Sequence, residues 1–400
     1  MNLNINKIFS INQYKLLFLV CFTLPMYTRA NNIILGIFIL FCLGSAYKNR
    51  NTYNYSSFKQ FLPIILFFLL ALIASLNNIE SNFFKNIERY LSFLIIPIAF
   101  WIKGGDKIKL IRYAFWGLII GCVATLAICY INTFYEIYAY NEPISYFLRW
   151  RHLSHRFTNV ANTHPAYLGL FVCTSSFYLL FEKIKINNTI KIFILIFFFF
   201  GLLQLASRVA LFIYFSTILI FILSRIKKNF RYGLTGIILI LITLTIYFSK
   251  GSNYYKERFF SYNSIAEDPR FDRLKVSFDI FIVNPIFGVG FNNIDHMRIN
   301  KYEEYGDLVA AKKGYNAHNQ MLEYISVNGL IGGVIYIGVF GYLLGKSLKT
   351  KNYLFLFIII SFFVANLTES MMVRIKGIEY FSIFISLFLL NNKQHTTNKP

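Results

Sequence analysis

Charge is scarce in this chain of 400 residues. Only 14% of it is Asp, Glu, Lys or Arg, against about 25% in ordinary soluble domains. Stretches such as 192–207, 209–224 and 353–367 hold no charge at all. That excludes a secreted or a cytosolic enzyme. Cysteine is sparse too. The five (Cys21, Cys42, Cys122, Cys129, Cys173) all lie in apolar segments, none in a long loop or at metal-ligand spacing, which excludes a disulfide scaffold and argues against zinc. No small-x-small cleavage site follows the apolar stretch 16–24, only Tyr27-Thr28-Arg29-Ala30, so that stretch reads as a retained first helix and not a signal peptide.

What the chain does hold is apolar surface: 56% of residues are hydrophobic and the mean hydropathy is +0.52. Together these predict an all-α, polytopic integral membrane protein. Twelve spans are expected, near 14–28, 33–47, 61–77, 90–102, 111–135, 164–182, 190–206, 209–224, 231–249, 317–345, 353–367 and 377–391. Several are shorter than the ~20 residues of a perpendicular crossing, so they extend into the interface or thin the bilayer. The expected organisation is N-terminal transmembrane helices over 1–135, a short periplasmic segment 136–163, central helices 164–249, a large periplasmic loop 250–316 with amphipathic helices, and C-terminal helices 317–400. A loop that long in a compact protein is functional or disordered; its aromatics and helical periodicity favour built structure.

The net charge of +22 resembles a nucleic-acid signal but reads better as topology. With the N-terminus inside, the inner segments hold 21 of the 40 cations and two acids, Asp106 and Glu182, which predicts N-in, C-in in the bacterial inner membrane. The two faces also differ in kind. Four of the 21 inner cations are Arg, whereas the outer side holds 11 Arg, among them Arg149, Arg151, Arg156, Arg208, Arg270, Arg273 and Arg298. Arginine suits bidentate recognition of phosphate or carboxylate, so either something anionic is handled there or these arginines pair with the outer acids.

Four places could carry chemistry. The apolar run 190–224 is too long for one span, and Lys191 and Arg225 both lie on the basic side, so the chain turns near Ala206-Ser207-Arg208. Arg208 then stands at a helix start that also favours anions; snorkelling is the bland alternative. Next, Phe271, Leu274, Phe278, Phe281 and Ile282 recur at helical spacing, with Arg270, Arg273 and Ser277 on the other face, an amphipathic helix lying on the outer membrane surface or over a cavity and ended by Asn284-Pro285. Gly288-Val289-Gly290 follows as a tight turn. Third, Asn316-Ala317-His318-Asn319 opens span ten, placing His318 in its first turn, where a neutral imidazole can take a proton; Gly329-x-x-x-Gly333 and Gly341-x-x-x-Gly345 in that span suit close helix packing. Fourth, His164-Pro165 opens span six, with Asn162 and Thr163 as cap candidates. His152 and His155 lie in the loop before it, with no acid or Cys spacing to make a metal site. Glu369 is an acid between the last two spans, available to Arg374 or another outer arginine.

Taken in order, these residues resemble the bacterial O-antigen ligase and O-antigen polymerase superfamily. Ser207-Arg208 resembles its Ser-Arg at a membrane turn. Arg273, ahead of Asn284-Pro285-x-x-Gly288-Val289-Gly290, resembles the arginine before its NPxxGxG stretch. His318-Asn319-Gln320-x-Leu322 with Gly329-Leu330-x-Gly332 resembles its HNxxL…GLxG element, and His164-Pro165-x-Tyr167 a variant found in some members. The matching region is 190–345. The resemblance implies a metal-independent membrane glycosyltransferase without cofactor, using a glycan on undecaprenyl pyrophosphate at the periplasmic face. It implies that His318 is the base for an acceptor hydroxyl (lipid A–core, glycan or protein) and that Arg208 and Arg273, with Arg270 as alternate, hold the pyrophosphate. His164, Asn319 and Glu369 are accessory candidates. No Asp-x-Asp-like pair in the outer loops offers to hold a divalent metal. Arg208, Arg273 and His318 are expected to line one cavity.

Ligase and polymerase, the latter extending lipid-linked repeats in lipopolysaccharide biosynthesis, differ only in acceptor, and the residues do not separate them. A flippase of lipid-linked oligosaccharide is the reading from another class. Transporters place charged sites near mid-membrane on broken helices in paired repeats; here the charges gather on one side and no repeat is visible.

Overall fold

The computed structural model describes residues 5–48, 55–76, 83–225 and 269–390, and among these every regular element is helical. The main helices are α1 (Ile5–Thr23), α2 (Thr28–Lys48), α3 (Leu62–Leu76), α4 (Phe83–Tyr90), α5 (Ser92–Lys103), α6 (Lys107–Ala139), α7 (Pro165–Phe181), α8 (Asn188–Leu205), α9 (Arg208–Arg225), α10 (Pro269–Val283), α11 (Gly290–Glu304), α12 (Leu308–Lys313), α13 (Gln320–Lys349), α14 (Tyr353–Asn366) and α15 (Ile375–Leu389). Each expected apolar segment is helical except 231–249, which lies outside the described residues, as does most of the 250–316 loop before α10. Among the described residues, four helices are long and apolar enough to cross a membrane: Phe58–Leu76, Lys107–Ala139, Asn188–Leu205 and Gln320–Lys349. A fifth span arises if Trp150–Ala161 and Pro165–Phe181, bent by 81°, count as one. Shorter apolar helices include α9 and α14, and the count of twelve expected spans is not reached among the described residues.

The chain divides into two compact units. The first comprises Met1–Leu24, Thr28–Leu118 and Asp272–Pro400. Its apolar centre is aromatic: Phe67 packs against Phe93, Tyr324 and Phe381, with ring centroids 5.4, 5.6 and 5.7 Å away. Such offset and edge-on pairs add to the burial of the rings themselves. One carboxylate is sunk in this bundle. Glu379, on α15, accepts from Asn31 Nδ2 of α2 at 2.6 Å, and Thr23 Oγ1 of α1 donates to Asn31 Oδ1 at 2.9 Å. A buried acid needs such donors, because leaving it unpaired costs several kcal/mol.

A second core in this unit holds the chain that precedes α13. Val276 and Ile280 of α10, Ile294 and Tyr302 of α11, and Ala310 and Ala311 of α12 close over Ala74 of α3 and Val327 of α13. The small residues of α10 face this core, and the apolar face expected on the outer membrane surface or over a cavity is left uncovered among the described residues. Ser277, placed with the arginines by its spacing, is fully buried, and Phe271, Phe278 and Ile282 are 45%, 47% and 58% exposed. The slim face of the helix packs on protein, since small side chains let helices approach, and the bulky apolar face turns outward.

The second unit comprises Pro25–Tyr27 and Ile119–Phe271. Here α7 packs on α9 and α8. The segment between α6 and α7 is built from short helical turns: Ile144–Leu148, Trp150–His152, His155–Thr158 and Asn159–Ala161. Two polar contacts fix it. The Gln204 side-chain amide, near the end of α8, donates to the Phe147 and His152 carbonyls at 2.8 and 2.9 Å, while Ser154 N–H donates to the Gln204 carbonyl at 3.0 Å. The buried His152 ring meets Glu142 through Nε2 at 2.7 Å and Glu136 through Nδ1 at 3.4 Å.

Candidate functional site

The start of α13 is not where its apolar pattern places it. Asn319 is the N-cap: its Oδ1 accepts from Leu322 N–H at 3.0 Å, satisfying one of the orphan amides of a helix start. His318 therefore precedes the helix instead of lying in its first turn. It has φ 47°, a conformation costly for a residue with a Cβ and typical of functional positions. Its side chain is oriented. Nδ1 lies 3.1 Å from Glu369 Oε2, so a protonated Nδ1 donates to the carboxylate and leaves Nε2 with its lone pair free. Glu369 thus pairs with the histidine, an outcome that sequence reasoning left open among arginines. Two further bonds hold the Glu369 loop against the α13 start: Asn319 Nδ2 donates to Leu367 O at 3.1 Å, and Met372 N–H donates to Gln320 Oε1 at 2.6 Å.

The imidazole also meets Tyr315, its ring centroid 6.0 Å away and edge-on. The Arg273 guanidinium sits over that same tyrosine face at 4.0 Å, a cation–π contact that fixes the guanidinium plane. Arg273 and His318, 45 positions apart in sequence, thus flank one ring. The buried Arg273 Nε has no hydrogen-bond partner among the described residues. Tyr302 supports the platform by donating its hydroxyl to the Tyr315 carbonyl at 3.2 Å; burial pushes that phenol up to about 12, so it remains a donor near neutral pH. Tyr315 was not singled out from sequence. Its only signal was an aromatic ring directly ahead of Asn316-Ala317-His318.

Beneath the histidine loop is a buried ion pair that was also missed. Arg298 of α11 donates through Nη2 to Glu323 Oε2 at 2.8 Å, and the same oxygen accepts from Ala317 N–H at 3.2 Å. Both side chains are nearly inaccessible, at 5% and 8% exposure. Removing one partner of such a pair strands the other's charge, so this carboxylate ties α11, the first turn of α13 and the peptide before His318 into one unit.

The glycine motifs form a clasp. Gly329 has φ 64° and ψ −159° and breaks α13. A Cβ there would lie 2.3 Å from the Ile286 backbone, and one at Gly288 (φ 70°) would lie 2.4 Å from that of Val327, so neither position admits a side chain. Across the contact Leu330 N–H donates to Pro285 O at 2.7 Å and Val289 N–H to Ser326 O at 3.1 Å. The polar groups that a broken helix exposes are thereby satisfied by the turn after α10. Gly329 serves this clasp, whereas Gly333 packs against the first half of α13, where a Cβ would lie 2.7 Å from Ile325, and nothing lies within 4 Å of a Cβ built at Gly341 or Gly345.

In the second unit, the turn expected at Ser207-Arg208 is present. Ala206 ends α8 in the left-handed region (φ 49°), Ser207 Oγ accepts from Ala210 N–H at 3.4 Å, and Arg208, exposed, is the first residue of α9. Arg270 is half-buried near the start of α10, one turn before Arg273. At the start of α7 the cap is His164 itself, not Asn162 or Thr163: its Nδ1 accepts from Ala166 N–H at 3.2 Å. His155 packs edge-on to it at 4.4 Å.

Residues 193–337 match the O-antigen ligase family model. The match supports the O-antigen ligase and polymerase superfamily, whose members are glycosyltransferase-like enzymes of multi-pass membrane proteins. No curated protein matches the chain. The O-antigen ligase match begins inside α8 and ends in α13 beyond the helix break. It takes in Ser207-Arg208, Arg270, Arg273, both halves of the glycine clasp and His318. It leaves out Glu369 and His164, so the acid that orients His318 comes from outside the matched stretch.

Proposed function

We propose that the protein transfers a glycan from undecaprenyl pyrophosphate to an acceptor hydroxyl at the periplasmic face of the inner membrane, as an O-antigen ligase-like enzyme. The observation that carries this reading is the alignment of Glu369, His318, Tyr315 and Arg273. His318 Nε2 takes the acceptor hydroxyl proton as the oxygen bonds to the anomeric carbon. The bond from that carbon to the pyrophosphate oxygen breaks, and the polyprenyl pyrophosphate leaves as an anion. Glu369 holds the imidazole in the required tautomer and stabilises the imidazolium that forms, the role a buried carboxylate has beside a catalytic histidine elsewhere. Arg273, its plane fixed on Tyr315, presents N–H donors to the departing oxyanion, where preorganised donors count most. Arg208 is a second phosphate ligand on its own grounds, a guanidinium at the exposed start of a helix.

The test is transfer by the purified full-length protein, using a lipid-linked glycan donor. His318→Ala should lose about 10²–10⁴-fold in turnover, the usual worth of a general base, with donor binding retained. Glu369→Gln should lower kcat with little change in KM, and Arg273→Lys and Arg208→Lys should weaken transfer because the planar fork is lost. Unimpaired turnover by His318→Ala would refute the assignment.

A further inference from the structure

The arginines of the segment between α6 and α7 do not follow the pattern expected of charges that neutralise nearby acids. Arg151 does pair with Glu142, at 2.7 Å. Arg149 and Arg156 are both exposed; neither forms a direct ion pair like that of Arg151 among the described residues, and Arg149 acts on Glu142 only through space. Each instead has its guanidinium carbon over an aromatic ring, Arg149 over Tyr146 at 3.4 Å and Arg156 over Trp150 at 3.7 Å, distances close enough for stacking. Stacking occupies the faces of a guanidinium and leaves its edge, with the N–H donors, pointing away from the ring. Because the plane is already fixed, little side-chain freedom remains to be lost when an anion binds.

The stacked pairs stand on a rigid base. Gln204 holds the Phe147 and His152 carbonyls, and His152 is clamped by Glu142 and Glu136. Their level is set by α6, one of the helices long enough to cross a membrane. Its last turns expose Ile131, Tyr135 and Tyr138 at 69%, 67% and 83%, at i, i+4 and i+7 on one face. Exposed tyrosines at the end of a span mark the headgroup layer. The arginines follow directly after that belt, where lipid phosphates lie.

We propose that Tyr146, Arg149, Trp150 and Arg156 form a binding ledge for the phosphate of an anionic membrane lipid, with Arg149 and Arg156 supplying the donors. Charge attracts any anionic lipid to a basic surface, but paired, stacked guanidiniums on a fixed base also provide geometry, so the ledge distinguishes a lipid phosphate monoanion from a zwitterion. The inference is independent of glycan transfer.

Native mass spectrometry of the full-length protein, released from detergent and titrated with phosphatidylglycerol or phosphatidylcholine, tests it without turnover. Phosphatidylglycerol should be retained preferentially. Arg149→Gln and Arg156→Gln should each reduce that retention about tenfold, as for loss of a charged hydrogen bond. Arg156→Lys should recover part of it. Both arginines are exposed, so the variants should remain monodisperse with wild-type melting, which is checked alongside. Equal retention of the two lipids, or unchanged retention in the double Gln variant, would overturn the ledge. Displacement of the bound lipid by millimolar inorganic phosphate would overturn its assignment to lipid in favour of free phosphate.

Discussion

The loop that presents His318 and the turn that presents Arg208 are fastened in different ways. At His318 the fastening ties together distant parts of the chain: Glu369 holds the ring, Arg298 meets Glu323 beneath the preceding peptide, and Asn319 and Gln320 bond to the loop around Glu369. At Arg208 it is local, a left-handed Ala206 and a Ser207 cap. The contrast fits the two proposed tasks. A base must meet one hydroxyl within hydrogen-bond reach, which requires an over-determined backbone. A cation that grips a pyrophosphate has several equivalent oxygens to find and needs only to be displayed.

The largest effect that would break this contrast is at the buried pair. Arg298→Met should lower stability by about 3–5 kcal/mol, since Glu323 is left buried and unpaired, and should be read from melting of the detergent-solubilised protein. Melting like wild type would mean that the pair does not brace the loop. Gly329→Ala should lower it by about 1–3 kcal/mol from backbone strain alone, and the required shift against Ile286 should also reduce turnover by moving α10 and Arg273. Ser207→Ala, by comparison, should cost only about 0.5–2 kcal/mol and leave His318-dependent chemistry intact; a larger loss than at Arg298 would invert the comparison. The smallest effect is a pH dependence. The hydrogen bond from His152, helped by the neighbouring Arg151 and Arg149, holds the Glu142 carboxyl below its usual range. A depressed carboxyl contributes stability that is complete above its unfolded value and is lost as pH falls through the folded one. Trp150 fluorescence, in a Trp101→Phe, Trp116→Phe background, should therefore be flat from neutral pH down through pH 5 and change only in more acid solution. A transition near neutrality would mean that the Glu142 carboxylate is not what holds the segment.

Local features were legible in the sequence to differing depth. The helix positions followed from apolar runs, and the turn at Ser207 followed from Lys191 and Arg225 lying on one side of a run too long for one span. His318 and Arg273 were marked by their motifs. What joins them was not legible, because Tyr315, Glu323 and Arg298 look like ordinary loop and helix residues until the fold brings α11 under α13. The apolar face of α10 was legible, but the burial of Ser277 was not, because periodicity reports which residues are apolar and not which surface, protein or lipid, they meet. Gly288 was read as a site of tight turning, but Gly329 was read with Gly333 as a packing pair, and only its φ and the approach of Ile286 reveal a break.

The glycine clasp also bears on how the chain is made. The turn at 285–289 is synthesised well before 326–331, yet each supplies the hydrogen-bond partners that the other lacks. During synthesis the earlier segment has to wait, with open backbone groups, until α13 has been made. Release of the loop into its docked position and seating of that helix are then a single event. A nascent chain arrested before Leu330 should expose 285–289 to an added protease, and one arrested after α13 should protect it.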